Sequence, residues 1–382
     1  MHIINMWLFG RMFCFLKEGV MGGSKRYYFP GGNTPKGFFS YYDHILSQEK
    51  AAKIYCMKGG PGTGKSTFMR KIGEEMLEEG YDVDLLLCSS DPDSLDGIVI
   101  KDKNVAMIDG TAPHIVDPKN PGAVDMIIDL GEFWNEKGLR EKKEDILLTN
   151  DNIKRCFSEA YKYIRAAAEI YQSLEEIYSM ASKKEEMYKN TAGLVYRELS
   201  HKELSTVKGR EKRFFAGAIT PKGIKNTAGS LIEGYRNVYI LKTPVGMSGN
   251  IILEGFKENV LMRGFDTEVY YCPMSPDKKI EHVIVPELST AIVTSNEYHE
   301  IPAVAASVID MRLYVRYDLL EKHKPVIAKG LEKMRELLDM AVNCLKDAKA
   351  SHDVLEEMYI PNMYFDKIEE KRLDIMEEIK GL

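Results

Sequence analysis

The stretch Gly59 to Thr67 reads GGPGTGKST, and those residue types at that spacing can hold the phosphates of a nucleotide. Glycines at 59, 60, 62 and 64 let the backbone bend until successive N–H groups point inward, an anion nest at a helix N-terminus. Within Gly59, Gly60, Pro61, Gly62, Thr63, Gly64, Lys65, Ser66 and Thr67, the lysine is placed to reach the β- and γ-phosphates. Ser66 offers a hydroxyl to Mg²⁺, and Thr67 begins the helix that fixes both side chains. ATP with Mg²⁺ is the expected ligand.

Such a loop works only between a strand and a helix. Ile54 to Met57 is an apolar run fit for a buried strand, and Phe68 to Glu79 is helix-forming and closed by Gly80. Further strands are expected near Val83 to Cys88, Ile98 to Ile100 and Val105 to Ile108. Asp109 ends the last of these and is the expected acidic partner of Mg²⁺. Asp91 and Asp93 follow the second strand, at the end where ligands sit in open α/β sheets. Either can bind a phosphate acceptor or act as base, which makes Lys65, Asp109 and Asp91 the candidate catalytic residues.

The chain matches itself at a shift of about 184 residues. Thr34-Pro35-Lys36-Gly37 recurs as Thr220-Pro221-Lys222-Gly223, and Arg26-Tyr27-Tyr28 recurs as Arg213-Phe214-Phe215. IYCMKGGPGTGKST aligns with VYILKTPVGMSGNI, Pro92-Asp93 with Pro276-Asp277, and SLEEIY at 173–178 with VLEEMY at 354–359. The expected fold is α/β: two tandem P-loop NTPase-like domains, 21–205 and 206–382, with largely parallel sheets flanked by helices that cover both faces. Each is followed by a long helical segment, Asn152 to about Ala181 and Leu331 to Met358, whose apolar positions recur at threes and fours. Two such stripes can lie on their own domains or pair with one another, within a chain or between chains as a homo-oligomer.

Residues needed for shape should survive in both copies, whereas nucleotide chemistry can vanish from one. Gly64-Lys65-Ser66-Thr67 faces Ser248-Gly249-Asn250-Ile251, and Asp109 faces Thr294, so the second copy has lost the lysine, the hydroxyl and the carboxylate together. Asp91 is replaced by Ser275. Asp93, Lys36 and Cys88 persist as Asp277, Lys222 and Cys272 and read as structural, and His114 with its twin His299 reads as a hydrogen-bonded loop residue. Lys137, Arg140, Lys142 and Lys143 could supply a cation to the γ-phosphate from a lid, although mixed charge of this kind is commonly a solvated face.

With 382 residues, 44% hydrophobic and 29% charged, the chain exceeds one core. A net charge of −6 gives no electrostatic footprint for nucleic acid or an anionic membrane. Six cysteines without CxxC spacing fit a reduced cytoplasm better than a zinc site or a disulfide framework. Met6 to Leu16 is too short to span a bilayer and has no cleavage site after it. Lys17-Glu18-Gly19 could be a translated ribosome-binding sequence, so the natural start is expected at Met21 and residues 1–20 form a non-native extension.

The first loop with VAMIDGTAPH, the TPKG lead-in and the altered second copy with PELSTAIVTSNEYH resemble a family of uncharacterised bacterial tandem P-loop proteins, described only as ATPases or nucleotide-kinase-like. The resemblance covers nearly the whole chain after Met21 and implies ATP binding without a settled substrate. Members often carry GRPGTGKST where this chain has TPVGMSGNI, a departure that argues against a second active site here. A guanine-reading N/TKxD motif is missing, which favours ATP, and Gly110 stands where AAA+ motors place a glutamate. Three functions follow: an ATPase active in the first copy, a small-molecule or nucleotide kinase with Asp91 near its acceptor, and a non-catalytic nucleotide sensor.

Overall fold

The computed structural model describes residues 22–112, 115–302 and 307–382. The start expected at Met21, and His114, lie outside them. The first half runs β1 (Lys25–Tyr28), a hairpin of β2 (Gly31–Thr34) and β3 (Gly37–Ser40), β4 (Lys53–Lys58), α1 (Lys65–Glu78), β5 (Val83–Leu87), β6 (Leu95–Ile100), β7 (Val105–Asp109) and β8 (Asp125–Asp129). Then come α2 (Glu136–Glu141), α3 (Lys143–Ala181) and α4 (Lys184–Leu199). The second half runs in a similar order, β9 (Glu211–Phe214), β10 (Gly217–Thr220), β11 (Gly223–Asn226), α5 (Ala228–Leu231), β12 (Asn237–Lys242), α6 (Asn250–Leu261), β13 (Thr267–Cys272), β14 (Ser275–Val285) and β15 (Thr290–Ser295). It closes with β16 (Ser307–Asp310), α7 (Tyr317–Leu320), α8 (Lys324–Tyr359) and α9 (Phe365–Gly381).

The two six-stranded sheets share one order, β1-β5-β6-β7-β4-β8 and β9-β13-β14-β15-β12-β16. The sheets are largely parallel, as expected, and one strand in each corrects that expectation: β6 and β14 are antiparallel to both of their neighbours, and the remaining pairs are parallel. Loop length is the cause. Only residues 101–104 join β6 to β7 and only 286–289 join β14 to β15, far short of the dozen or so residues that a parallel crossover needs. Asn104 at φ +51° and its equivalent Ser289 at φ +48° close these two tight turns.

A second correction concerns what flanks the sheets. Along β4, Tyr55 and Met57 enter the core shared with α1 and α9, whereas Ile54 and Cys56 face the other sheet. Along β12, Tyr239 and Leu241 join α6 and α4, whereas Ile240 faces inward. Helices therefore cover one face of each sheet, and the inner faces pack on one another through residues such as Val99, Ile108, Tyr270 and Val293. The layers run helix, sheet, sheet, helix.

The helical segments are exchanged between halves. α9, from the second half, lends Ile368, Ile375, Met376 and Ile379 to the core of the first sheet, and α4 lends Met187 and Leu194 to that of the second. Gly255 on α6 permits the latter contact, because a β-carbon there would lie 2.7 Å from the Thr191 side chain. The division at 205/206 falls in irregular chain between α4 and β9, but the packing crosses it.

α3 and α8 pair antiparallel within the chain. The Asn152 amide donates to Ser351 Oγ at 2.9 Å, Leu174 packs on Gly330, and Ile164, Ala167, Leu338 and Ala341 fill the seam. Both helices start earlier than their apolar periodicity predicts. At the centre of the molecule Phe29 and Phe215 exchange backbone hydrogen bonds of 2.9 and 3.0 Å. Sheet register makes Tyr28-Phe29 equivalent to Phe214-Phe215, correcting the aromatic alignment by one residue: Tyr28 pairs with Leu86 and Phe214 with Tyr270. Among the described residues no helix is long and apolar enough to cross a membrane.

Candidate functional site

The Gly59–Thr67 stretch sits where it was expected, between β4 and α1. Gly59, Gly62 and Gly64 take φ values of +151°, +67° and +89°, which a side chain would oppose. The Thr63 hydroxyl donates to the Gly60 carbonyl at 2.9 Å and holds the curl. α1 starts at Lys65, earlier than the Phe68 predicted from helix-forming residues, because Gly64 acts as its N-cap. Thr67 lies in the first turn with its side chain exposed, and Pro61 is half-buried.

The Lys65 ammonium donates to the Gly59 and Gly60 carbonyls at 2.8 and 2.9 Å and lies 3.7 Å from Asp109 Oδ2. The pairing of β4 with β7 brings this about, since Met57 stands opposite Asp109. Asp109 Oδ1 accepts from the Thr111 amide at 2.9 Å and hydroxyl at 2.5 Å, which leaves Oδ2 turned to the lysine. Lys58 anchors the chain beyond β7 by donating to the Gly110 and Val116 carbonyls at 2.8 and 2.9 Å.

Ser66 Oγ accepts a hydrogen bond from the Leu95 amide at 2.9 Å. In the second half Asn250 Oδ1 accepts from Ile280, the residue equivalent to Leu95, at 3.0 Å. The exchange of serine for asparagine thus keeps one structural bond, and Ser66 has a scaffold role besides the metal role expected of it.

Asp91 lies in the turn between β5 and β6. Its carboxylate accepts from Ser94 Oγ at 2.9 Å and the Asp93 amide at 3.3 Å, and Lys349 stands 3.4 Å away. Lys349 comes from α8, and although burial opposes its charge, Asp353 and Asp91 raise its pKa. Lys137, Arg140, Lys142 and Lys143 are exposed instead, with Arg140 bonded to Glu136. The cation that meets a predicted site residue from outside the loop is therefore Lys349, which local sequence could not show because it is contributed by the other half.

The same corner of the second half covers the loop. A β-carbon at Gly60 would lie 2.8 Å from the Tyr359 ring, and one at Gly62 would lie 3.0 Å from Ile360 and 3.3 Å from Glu356. The second half is covered reciprocally, for a β-carbon at Gly246 would lie 2.8 Å from Leu174 and 3.4 Å from Tyr178. The echo between SLEEIY and VLEEMY marks these two covering segments. Nearby, His352, Asp353 and Glu356 have ligand-type atoms within 4.8 Å of one another.

In the second half the hydroxyl of Thr294, at the Asp109 position, bonds His299 Nε2 at 3.1 Å, and the Asn296 amide lies 3.2 Å from the same nitrogen. His299 is buried and hydrogen-bonded, as expected. Cys88 and Cys272 are buried at their strand ends, and burial pushes both thiols well above their ordinary pKa. In comparisons with known proteins, no family model, no curated protein and no solved structure matches this chain.

Proposed function

We propose that the protein binds ATP and is a Mg²⁺-dependent ATPase working in its first half, with the second half as scaffold or regulatory partner. The observation that carries this reading is the Lys65 ammonium, held by loop carbonyls beneath a glycine cradle and turned toward Asp109. A β-carbon at Gly59 would lie 2.7 Å from Thr63 Oγ1, so that side of the loop is closed to side chains while its amides are left to bind phosphate oxygens. Ser66 and Asp109 are the residues that would hold Mg²⁺, whose charge offsets that of the phosphates. Lys65 binds and orients the terminal phosphates, and Thr111 orients Asp109.

The shared strand order and reciprocal helix packing support reading the chain as a duplicated P-loop-like unit, in line with the tandem family it resembles. Free thiols at all five described cysteines agree with a cytoplasmic setting. A sensor is the second reading, favoured by the cover that Tyr359 and Ile360 place on the loop, which a bound nucleotide can shift. A kinase is less well supported, because the Asp91 carboxylate is engaged by Ser94 and Lys349.

Phosphate release from Mg·ATP, measured beside a nucleotide-binding titration and a Lys65→Ala control, tests the proposal. Turnover abolished by the substitution is the expected result. Binding without turnover favours the sensor, and no binding rejects all nucleotide readings.

A further inference from the structure

The second half has lost the phosphate chemistry yet retains a pocket at the equivalent place. Val245 of the β12–α6 loop, Cys272 at the end of β13, His299 beyond β15 and the β10–β11 hairpin surround it, and Tyr171 of α3 and Met334 of α8 close it. It holds about 60 Å³ of water-accessible space. That is room for about four or five waters, or a short organic molecule. Val245, Met274, Met334 and Leu338 make its walls mainly apolar.

One buried carboxylate lines this space. Glu281 is 6% exposed, and among the described residues no Lys, Arg or His nitrogen lies within the 4.0 Å of an ion pair with it. Its hydrogen-bond partner is the Cys272 thiol. The buried cation nearby, Lys279, is committed to Glu175 at 3.0 Å and to the Tyr171 hydroxyl. Lys225 at the rim is exposed and acts on Asp93. Among the described residues no cation pairs with Glu281 at contact distance, and burial opposes its charge. His299, His282 and Lys279 nevertheless act on it through space and hold its carboxyl below the ordinary range, so it faces the pocket as a carboxylate.

The first half shows what was removed. Glu281 is equivalent to Asp96, which is 2% exposed and faced by both the Cys88 thiol and the Tyr42 hydroxyl. At the Tyr42 position the second half has Ala228, which brings no hydroxyl. The carboxylate that is sealed in one half opens onto a cavity in the other.

We propose that this pocket binds a small organic cation, its ammonium on Glu281 and its short apolar body against Val245, Met274, Met334 and Leu338. An anion is disfavoured by the carboxylate and the missing loop lysine, and a bare metal ion by the apolar walls. The site does not depend on nucleotide binding by the first half.

The full-length protein titrated calorimetrically with n-butylammonium chloride, 1-butanol and sodium butyrate at pH 7 and constant ionic strength tests this. Butylammonium is expected to bind saturably, at least tenfold more tightly than butanol, and butyrate not at all. Glu281→Gln should abolish the preference for amine over alcohol, Met334→Trp should fill the cavity and remove binding, and Lys65→Ala should leave it intact. Absence of saturable butylammonium binding to the unmodified protein, equal binding of the alcohol, or full amine affinity in folded Glu281→Gln overturns the proposal. If Glu281→Gln does not fold, the amine-to-alcohol ratio of the unmodified protein and Met334→Trp decide.

Discussion

The Lys36 ammonium lies 2.7 Å from the Asp277 carboxylate, and the two residues belong to different halves of the chain. Lys222 and Asp93 make the reciprocal pair. The recurring Thr-Pro-Lys-Gly and Pro-Asp segments thus each supply one side of an ion pair made between the halves. Both pairs are partly exposed, with Lys36 at 53% and Asp277 at 39%, so screening leaves them weak. Lys36→Met and Lys222→Met are each expected to cost less than about 1 kcal/mol in urea unfolding and to leave nucleotide affinity unchanged.

Asp109 and Asp91 should separate sharply in kinetics. Asp109→Asn removes the carboxylate facing Lys65 and is expected to lower ATP turnover by about a hundredfold or more while the protein stays folded. Asp91→Asn, at a carboxylate already held by Ser94 and Lys349, should change turnover less than about threefold. A larger loss at Asp91 would revive the kinase reading.

Tyr359 tests the cover across the halves. Its ring supports the loop backbone at Gly60, and Tyr359→Ala should weaken Mg·ATP binding about three- to tenfold with little change in overall stability. An unchanged dissociation constant would mean that the loop keeps its curvature alone.

Arg26 joins the sheets by donating to Asp84 at 2.9 and 2.8 Å and to Glu268 at 2.8 and 3.0 Å. Removing it leaves Glu268 without its ion-pair partner and Asp84 with Lys101 alone, at 3.2 Å, and Arg26→Met is expected to cost about 3–5 kcal/mol in chemical unfolding. Burial opposes ionisation of Asp84 and Glu268, but the guanidinium holds both below the ordinary carboxylate range. Their contribution is therefore present above about pH 4 and lost as pH falls through the lower folded values.

A second acid sensitivity begins higher. Burial lowers the His282 pKa from 6.5 to about 3, and its Nδ1 accepts from the Thr294 amide at 3.2 Å. Below about pH 6.5 the unfolded chain takes up a proton that the folded protein refuses, so stability declines from there toward pH 3. His299 is shifted in the same direction by burial. Melting temperature should begin to fall between pH 6.5 and 5, and His282→Gln should flatten that part of the profile.

The strand and helix on either side of Gly59–Thr67, the place of Asp109 at a strand end and the common order of elements in the two halves were legible because each rests on local residue types and spacing. What escaped the sequence rests on contacts between distant segments. The antiparallel β6 was hidden because a buried strand looks alike in either direction, although the short run 101–104 carried the signal. Lys349 reaches Asp91, and Tyr359 and Glu356 reach the first loop, only because the long helices cross over, and no local pattern states which half a helix will cover. The mismatch between Tyr42 and Ala228 was visible in the alignment of the repeats, but its meaning needed the position of Glu281.

The exchange of α4 and α9 also sets an order of events in synthesis. Arg372 of α9 and Glu75 of α1, bonded in the finished protein, are 297 residues apart in sequence. At ribosomal speeds of about 5–20 residues per second, that separation corresponds to roughly 15–60 s between the emergence of one and the other. Throughout that interval the outer side of the first sheet must wait without its last helix, exposed to premature contacts with other nascent chains. Closure of that face only when Ile375 and Ile379 emerge is the kinetic counterpart of a fold whose halves complete one another.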